Sequence, residues 1–242
     1  MSRLLRCAIT LIVLSVAPFA RAAEPVDLLL VLAADVSRSV DADKFKLQRE
    51  GYAAAVANPR VLEIIKSGRH GRIGLSFLEW SGFGNQKVVV DWMLIDGPKA
   101  AQEFGTRLLE SPRSFADRTS ISGGIDFSVA QLARAPFTAE RQTIDVSGDG
   151  TNNAGGDITK ARDQALALGY TINGLVILSE HPLPWNPEHT NPPGGLANYY
   201  RNNVVGGPGA FVLEAKDFDS FGQAIIKKMI AEIADARPPR RD

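Results

Sequence analysis

The sequence predicts an α/β fold: a doubly wound, mostly parallel six-stranded sheet with one antiparallel edge strand and helices on both faces. Three observations carry this reading. Val26-Asp27-Leu28-Leu29-Leu30-Val31-Leu32-Ala33 is almost continuously apolar, as a central parallel strand covered on both faces must be. Beyond it, short apolar segments alternate with helical patterns, the signature of strand–helix–strand units. One pair of strand candidates, Ile73 to Trp80 and Val88 to Met93, is joined by too few residues for a crossover helix and must form an antiparallel hairpin.

The elements follow in order. The first strand stops abruptly at Asp35-Val36-Ser37-Arg38-Ser39, and a helix is expected from about Asp41 to Val56, where Asn58-Pro59 should break it. After the hairpin, a helix over about Lys99 to Leu109 leads into a polar loop, Ser111 to Thr119. Ile121 to Ala133 is the next helix, with Ile125, Val129 and Leu132 at core spacing. A strand over Gln142 to Val146 ends in Ser147-Gly148-Asp149-Gly150. The helix Ile158 to Leu168 and the strand Thr171 to Leu178 come next. A Pro-rich loop, Pro182 to Gly195, precedes a short helix at Ala197 to Asn203. The last pair is a strand at Ala210 to Leu213 and a helix at about Phe218 to Ala234, whose buried stripe is Phe221, Ile225, Met229 and Ile233. Residues 25–236 read as one domain, and 237–242 as a disordered tail.

Composition agrees with a globular protein that can build a large core: 242 residues, 45% hydrophobic and 22% charged. Residues 1–22 read as a signal peptide. Arg3 and Arg6 precede a short apolar run from Cys7 to Val16, and Ala20-Arg21-Ala22 is an A-x-A cleavage pattern. The run is too short for a comfortable membrane span. An exported chain, periplasmic or extracellular in a bacterium, is the expectation. Cleavage would remove the only cysteine, leaving neither a disulfide nor a thiolate metal site. It would also lower Lys+Arg from 27 to 24 against 27 Asp+Glu, a net charge of −3. That balance argues against nucleic acid, or an anionic membrane, as a partner held by charge.

Three polar loops carry the chemistry: Asp35-x-Ser37-x-Ser39 after the first strand, Thr119-Ser120-Ile121-Ser122 before a helix, and Asp149-Gly150 after a later strand. In open α/β sheets a ligand site lies beyond the carboxyl ends of the strands, where the strand order reverses. Carboxylates and hydroxyls without His or Cys suit Mg²⁺, with Mn²⁺ and Ca²⁺ as alternatives, and disfavour zinc. Taken singly, Asp and Ser at such positions also serve as helix caps, and an Asp before Gly is an ordinary turn residue. Ser120 or Ser122 could take the place of Thr119 in the middle loop.

The pattern resembles the metal-ion-dependent adhesion site of von Willebrand factor A (VWA) domains. Asp35, Ser37 and Ser39 match the family's D-x-S-x-S, Thr119 with Gly124-Ile125 following matches its threonine, and Asp149-Gly150 matches its distal aspartate. The resemblance implies that Ser37, Ser39 and Thr119 ligate directly while Asp35 and Asp149 act partly through water. The phrases Asp145-Val146-Ser147-Gly148-Asp149-Gly150-Thr151-Asn152-Asn153, Tyr199-Tyr200-Arg201-Asn202-Asn203 and Gly206-Gly207-Pro208-Gly209-Ala210-Phe211 resemble a bacterial family of exported VWA-like proteins of unassigned function.

The expected role is therefore a binding module, in which an open metal position receives a carboxylate from a protein partner. The alternative is a Mg-dependent phosphatase-like hydrolase of the haloacid dehalogenase type, which Gly148 to Asn153 resembles. That chemistry needs an acid two residues after the nucleophile, and Ser37 stands there. No nucleophile–base pair, phosphate loop or G-x-S-x-G elbow is evident, so no enzyme is expected. His181, Glu188 and His189 are expected in a solvated loop, their spacing matching no zinc pattern. Trp80 and Trp92 should pack around the hairpin. Trp185, Tyr199 and Tyr200, in or beside a long loop, are candidates for a binding surface.

Overall fold

A computed structural model describes residues 23–179 and 183–235. The leader reading of 1–22, the tail reading of 237–242 and His181 lie outside the described residues. In chain order the elements are β1 (Glu24–Pro25), β2 (Leu29–Asp35), α1 (Ala42–Val56), α2 (Pro59–Lys66), β3 (Ile73–Trp80), β4 (Gln86–Ile95), α3 (Pro98–Glu110) and α4 (Ile121–Ala133). There follow β5 (Phe137–Thr138), β6 (Gln142–Gly148), α5 (Ile158–Ala167), β7 (Thr171–Ile177), α6 (Pro187–Thr190), α7 (Leu196–Asn203), β8 (Val212–Ala215) and α8 (Phe221–Asp235).

The main sheet has six strands in the order β4-β3-β2-β6-β7-β8. Every neighbouring pair is parallel except β3–β4, so the hairpin strand β4 is the antiparallel edge the sequence predicts. The chain builds outward from β2 through β3 to β4, then returns to the other side of β2 and builds outward again through β6, β7 and β8. The strand order reverses between β2 and β6, whose carboxyl ends carry Asp35 and, one residue past β6, Asp149.

Why β2 occupies the centre is visible in its burial. Leu28, Leu30, Leu32 and Ala34 face one core, with Tyr52 of α1, Phe104 of α3, and Phe221, Ile225 and Met229 of α8. Leu29, Val31 and Ala33 face the other, with Ile121 and Ile125 of α4, Ala165 of α5 and Tyr200 of α7. The period-two alternation of a strand therefore feeds two apolar layers rather than one. Each fully buried Leu or Val contributes about 1.5–3 kcal/mol, so a strand apolar on both faces is the sheet's anchor.

Three differences from the sequence reading have local causes. Asn58-Pro59 ends one helix and also starts another. The Asn58 side chain accepts the Arg60 amide at 3.0 Å, and Pro59 occupies the first helical position, where its missing N–H costs nothing. The eighth strand begins at Val212 rather than Ala210, because Gly207 and Gly209 take positive φ of 95° and 70° and hold the chain in a turn. The last helix starts at Phe221 rather than Phe218, behind a turn in which Ser220 donates its amide to Asp217 Oδ1 at 2.7 Å.

Candidate metal centre

At the end of β2 the Asp35 carboxyl turns back on its own loop: Oδ1 accepts the Ser37 amide at 2.7 Å. That bond fixes the chain so that Ser37 and Ser39, two residues apart, point the same way. Their hydroxyls are 3.1 Å apart, and Ser39 Oγ donates to Asp149 Oδ1 at 2.6 Å. A continuous polar chain thus joins Asp35, Ser37, Ser39 and Asp149 across the β2–β6 crevice, and all four are buried. Neighbours hold the loop's carbonyls. Lys44 Nζ donates to Ser39 O at 2.9 Å, Gln48 Nε2 to Asp35 O at 3.2 Å, and Arg113 Nη2 to Val36 O and Ser37 O at 2.7 and 2.9 Å.

Thr119 is also buried but has no hydrogen bond to those four residues. Its backbone is tied instead to the loop after β6. Asn153 and Ala154 donate their amides to Thr119 O at 2.9 and 3.1 Å, and the Thr119 amide donates to Asn153 Oδ1 at 2.9 Å. Ser120, the other candidate in this loop, is the N-cap of α4, with Oγ accepting the Gly123 amide at 3.2 Å. Ser122 Oγ contacts Ser120 Oγ at 3.4 Å, so both hydroxyls belong to the start of α4.

Burial disfavours the charged form of both aspartates. Burial and the neighbouring Asp149 charge push Asp35 well above the usual carboxylate range, against the lowering effects of the Ser37 bonds and the Arg113 charge. Burial also raises Asp149, against the bond from Ser39 and the charge of Lys44. Asp35 Oδ2 is buried with no hydrogen-bond partner. Tyr200 is pushed up by burial and by both aspartates, and its buried hydroxyl likewise has no partner. Both orphans converge on Gly148, where an ideal Cβ would lie 2.6 Å from the Tyr200 hydroxyl and 3.1 Å from Asp35 Oδ2. Two desolvated carboxylates, one with an unused oxygen, beside clustered hydroxyls fit a hard divalent cation. Among the described residues no three of His, Cys, Asp and Glu gather as a metal-holding group, and the polar atoms brought together here are hydroxyls and carboxylates.

Within the 181–189 loop the structure corrects the reading of His189. Glu188 is exposed, but His189 is only 5% exposed. Its Nε2 lies 3.2 Å from Thr119 Oγ1, and its Nδ1 lies 3.2 Å from Thr151 Oγ1 and 3.3 Å from Asn153 Nδ2. Burial lowers its pKa. A His among prolines carries no periodic burial signal, so nothing local in the sequence marks it as buried. Arg113 and Tyr200 carry no local mark of the centre either, since only the fold brings them there. Of the aromatic candidates, Tyr200 is fully buried, Tyr199 accepts the Asn152 amide at 3.1 Å, and Trp185 is 76% exposed.

Comparison with known proteins agrees with the fold. A family model described as "Protein of unknown function (DUF1194)" matches residues 25–237. No curated protein matches the chain. Among solved structures, the pilus adhesin SpaC from Lactobacillus rhamnosus GG is 14% identical at a TM-score of 0.57, over 87% of this chain and 31% of its own. Proximal thread matrix protein 1 from the mussel byssus, in a form described as having a zinc-occupied MIDAS motif, is 16% identical at a TM-score of 0.57, over 87% of this chain and 48% of its own. A von Willebrand factor type A protein from Catenulispora acidiphila is 16% identical at a TM-score of 0.55, over 88% of this chain and 43% of its own. The chain thus spans a third to a half of the length of these proteins, and what it shares with them is the VWA-like fold.

Proposed function

The chain belongs to the family described as "Protein of unknown function (DUF1194)", and from that premise we propose that it is an exported binding module that uses a divalent cation to grip a carboxylate of a protein partner. One observation carries the reading: two buried aspartates and two serine hydroxyls are joined across the strand-order reversal, with Asp35 Oδ2 left unpaired. Asp35, Ser37, Ser39, Thr119 and Asp149 would hold the ion, and Mg²⁺ suits this all-oxygen set, with Mn²⁺ and Ca²⁺ next. When bound, such an ion supplies an electrophilic coordination position for an acidic group. The chain's own part is to supply the two carboxylates and the hydroxyls, and to hold the loop that carries them by its carbonyls through Arg113, Lys44 and Gln48. Among the described residues no helix is long and apolar enough to cross a membrane.

The test is calorimetric titration with Mg²⁺ of the Ser37→Ala/Ser39→Ala variant. We expect metal affinity to fall by at least about tenfold while the metal-free melting temperature holds. Unchanged affinity would sink the assignment. The hydrolase alternative is separated by assaying a generic phosphate ester with Mg²⁺, where turnover lost in Asp35→Asn would favour it. Ser37 stands where that chemistry needs an acid, and its hydroxyl is engaged with Ser39.

A further inference from the structure

Thr119, Asn153 and His189 close a ring of hydrogen bonds. The Thr119 amide donates to Asn153 Oδ1 at 2.9 Å, which turns the other end of that side-chain amide, Nδ2, toward His189 Nδ1 at 3.3 Å. An amide NH₂ can only donate, so Nδ1 must be the ring's acceptor nitrogen. The proton of a neutral imidazole then sits on Nε2, which lies 3.2 Å from Thr119 Oγ1 and donates to it. Thr151 reinforces the arrangement from both sides, its hydroxyl 3.2 Å from Nδ1 and its amide donating to His189 O at 2.9 Å. Gly150 makes room for the imidazole: an ideal Cβ there would lie 2.3 Å from Cε1 and Nε2.

We propose that His189 is a positioning residue of the metal centre, its Nε2–H fixing the Thr119 hydroxyl so that one lone pair is left for a divalent cation. The inference rests on the metal reading above and adds a residue that the D-x-S-x-S pattern does not contain. Without the ring, Thr119 Oγ1 would have no protein partner holding its rotamer, and ordering it would be charged against metal binding. With it, the hydroxyl is ordered before the cation arrives. Because Nε2 carries the proton, His189 acts through Thr119 and not as a ligand.

The experiment uses the full chain and Mn²⁺ alone as probe, by calorimetry, on wild type, His189→Phe, His189→Gln, Thr119→Ala and the His189→Phe/Thr119→Ala double variant. Loss of a residue that orients a ligand typically costs 10- to 100-fold in metal affinity. We expect a loss of about that size for His189→Phe, most of the affinity retained in His189→Gln, whose amide N–H can still reach Thr119, and a double variant no weaker than Thr119→Ala alone. The metal-free melting temperature reports whether each variant keeps the fold. If His189→Phe does not, His189→Gln against the shorter His189→Asn decides, and equal affinities overturn the proposal. Nitrogen NMR of the wild-type ring gives a second readout: an Nε2–H tautomer supports the ring, and Nδ1–H overturns it. Wild type that binds no Mn²⁺ overturns the metal reading together with the role given to His189. Wild-type binding that His189→Phe leaves unchanged overturns the His189 proposal alone.

Discussion

An ideal Cβ on Gly150 would enter the space held by the His189 imidazole, 2.3 Å from two of its ring atoms, a separation that real Cβ atoms do not show. The ring cannot simply swing away, because it is buried and bonded to Thr119, Thr151 and Asn153. Gly150→Ala should therefore displace His189 and release Thr119, weakening Mn²⁺ binding by about tenfold. Calorimetry with Mn²⁺ checks this, and an alanine variant with wild-type affinity would show that the imidazole has room to move. Asp149 is the sequence neighbour of Gly150, so the same variant should be compared with Gly156→Ala, whose Cβ would meet nothing within 4 Å. The contrast separates a local steric effect from a general effect of alanine in this loop.

Helix α4 carries the middle loop, and its position depends on how closely it approaches β3. Gly124 faces the fully buried Trp80, and a Cβ there would lie 2.9–3.1 Å from three indole carbons. Overpacking of this kind typically costs about 1–3 kcal/mol, and Gly124→Ala should lower stability to urea by that amount. Two well-separated effects are expected if α4 also moves, since the Ser120 amide donates to Ser81 O at 2.7 Å just before the helix. The sequence made α4 readable to the residue, because Ile125, Val129 and Leu132 repeat at helical spacing within Ile121–Ala133. It also marked β2 and β3, since continuous apolar runs leave few alternatives, whereas the order of the strands, and with it the reversal between β2 and β6, is set only by their pairing. Helix α2 was hidden because Asn-Pro marks both an end and a beginning. The partners of the metal loop were hidden for a different reason. Arg113, Asn153, His189 and Tyr200 lie up to 165 residues from Asp35 in sequence, and no local pattern records a contact made only by the fold. On α1, Arg49 Nη2 meets Glu79 Oε1 of β3 at 2.6 Å, both buried, a pairing equally invisible in the chain. Arg49→Met should cost about 3–5 kcal/mol by stranding the Glu79 charge, measurable by the same urea titration.

The two faces of the sheet are not equally apolar. Beneath the sheet, on the α8 side, Lys228 Nζ lies 2.6 Å from Asp145 Oδ1 and donates to Glu232 Oε1 at 2.6 Å, all three residues fully buried. Asn173 Nδ2 of β7 also donates to Glu232 Oε1, at 2.9 Å, so this cluster ties α8 to the middle of the sheet through β6 and β7. One ammonium between two carboxylates leaves a surplus negative charge in a medium that resists it. Burial first, then the Glu232 charge, raise Asp145 from 3.8 to about 7, while Lys228 pulls the other way. The consequence for the whole molecule is a pH dependence with a definite sign. Below about pH 4 Asp145 is protonated in both folded and unfolded chains, and the folded state keeps the full benefit. As pH rises from about 4 toward 7 the unfolded chain gives up this proton and the folded one does not, so stability falls. Above the folded value the contribution is level. Asp145→Asn keeps a neutral side chain at every pH and should lack this slope. Urea denaturation of wild type and variant at several pH values across that window therefore provides the test. The stability difference, variant minus wild type, should grow as pH rises from about 4 to 7, whereas parallel curves would mean that Lys228 already holds Asp145 ionised throughout. That outcome would recast the cluster as a settled ion triad, and the fold's acid response would then have to come from the surface carboxylates that hydrogen bonds hold below the usual range, Asp91, Asp157 and Asp217, whose contribution rises with pH instead.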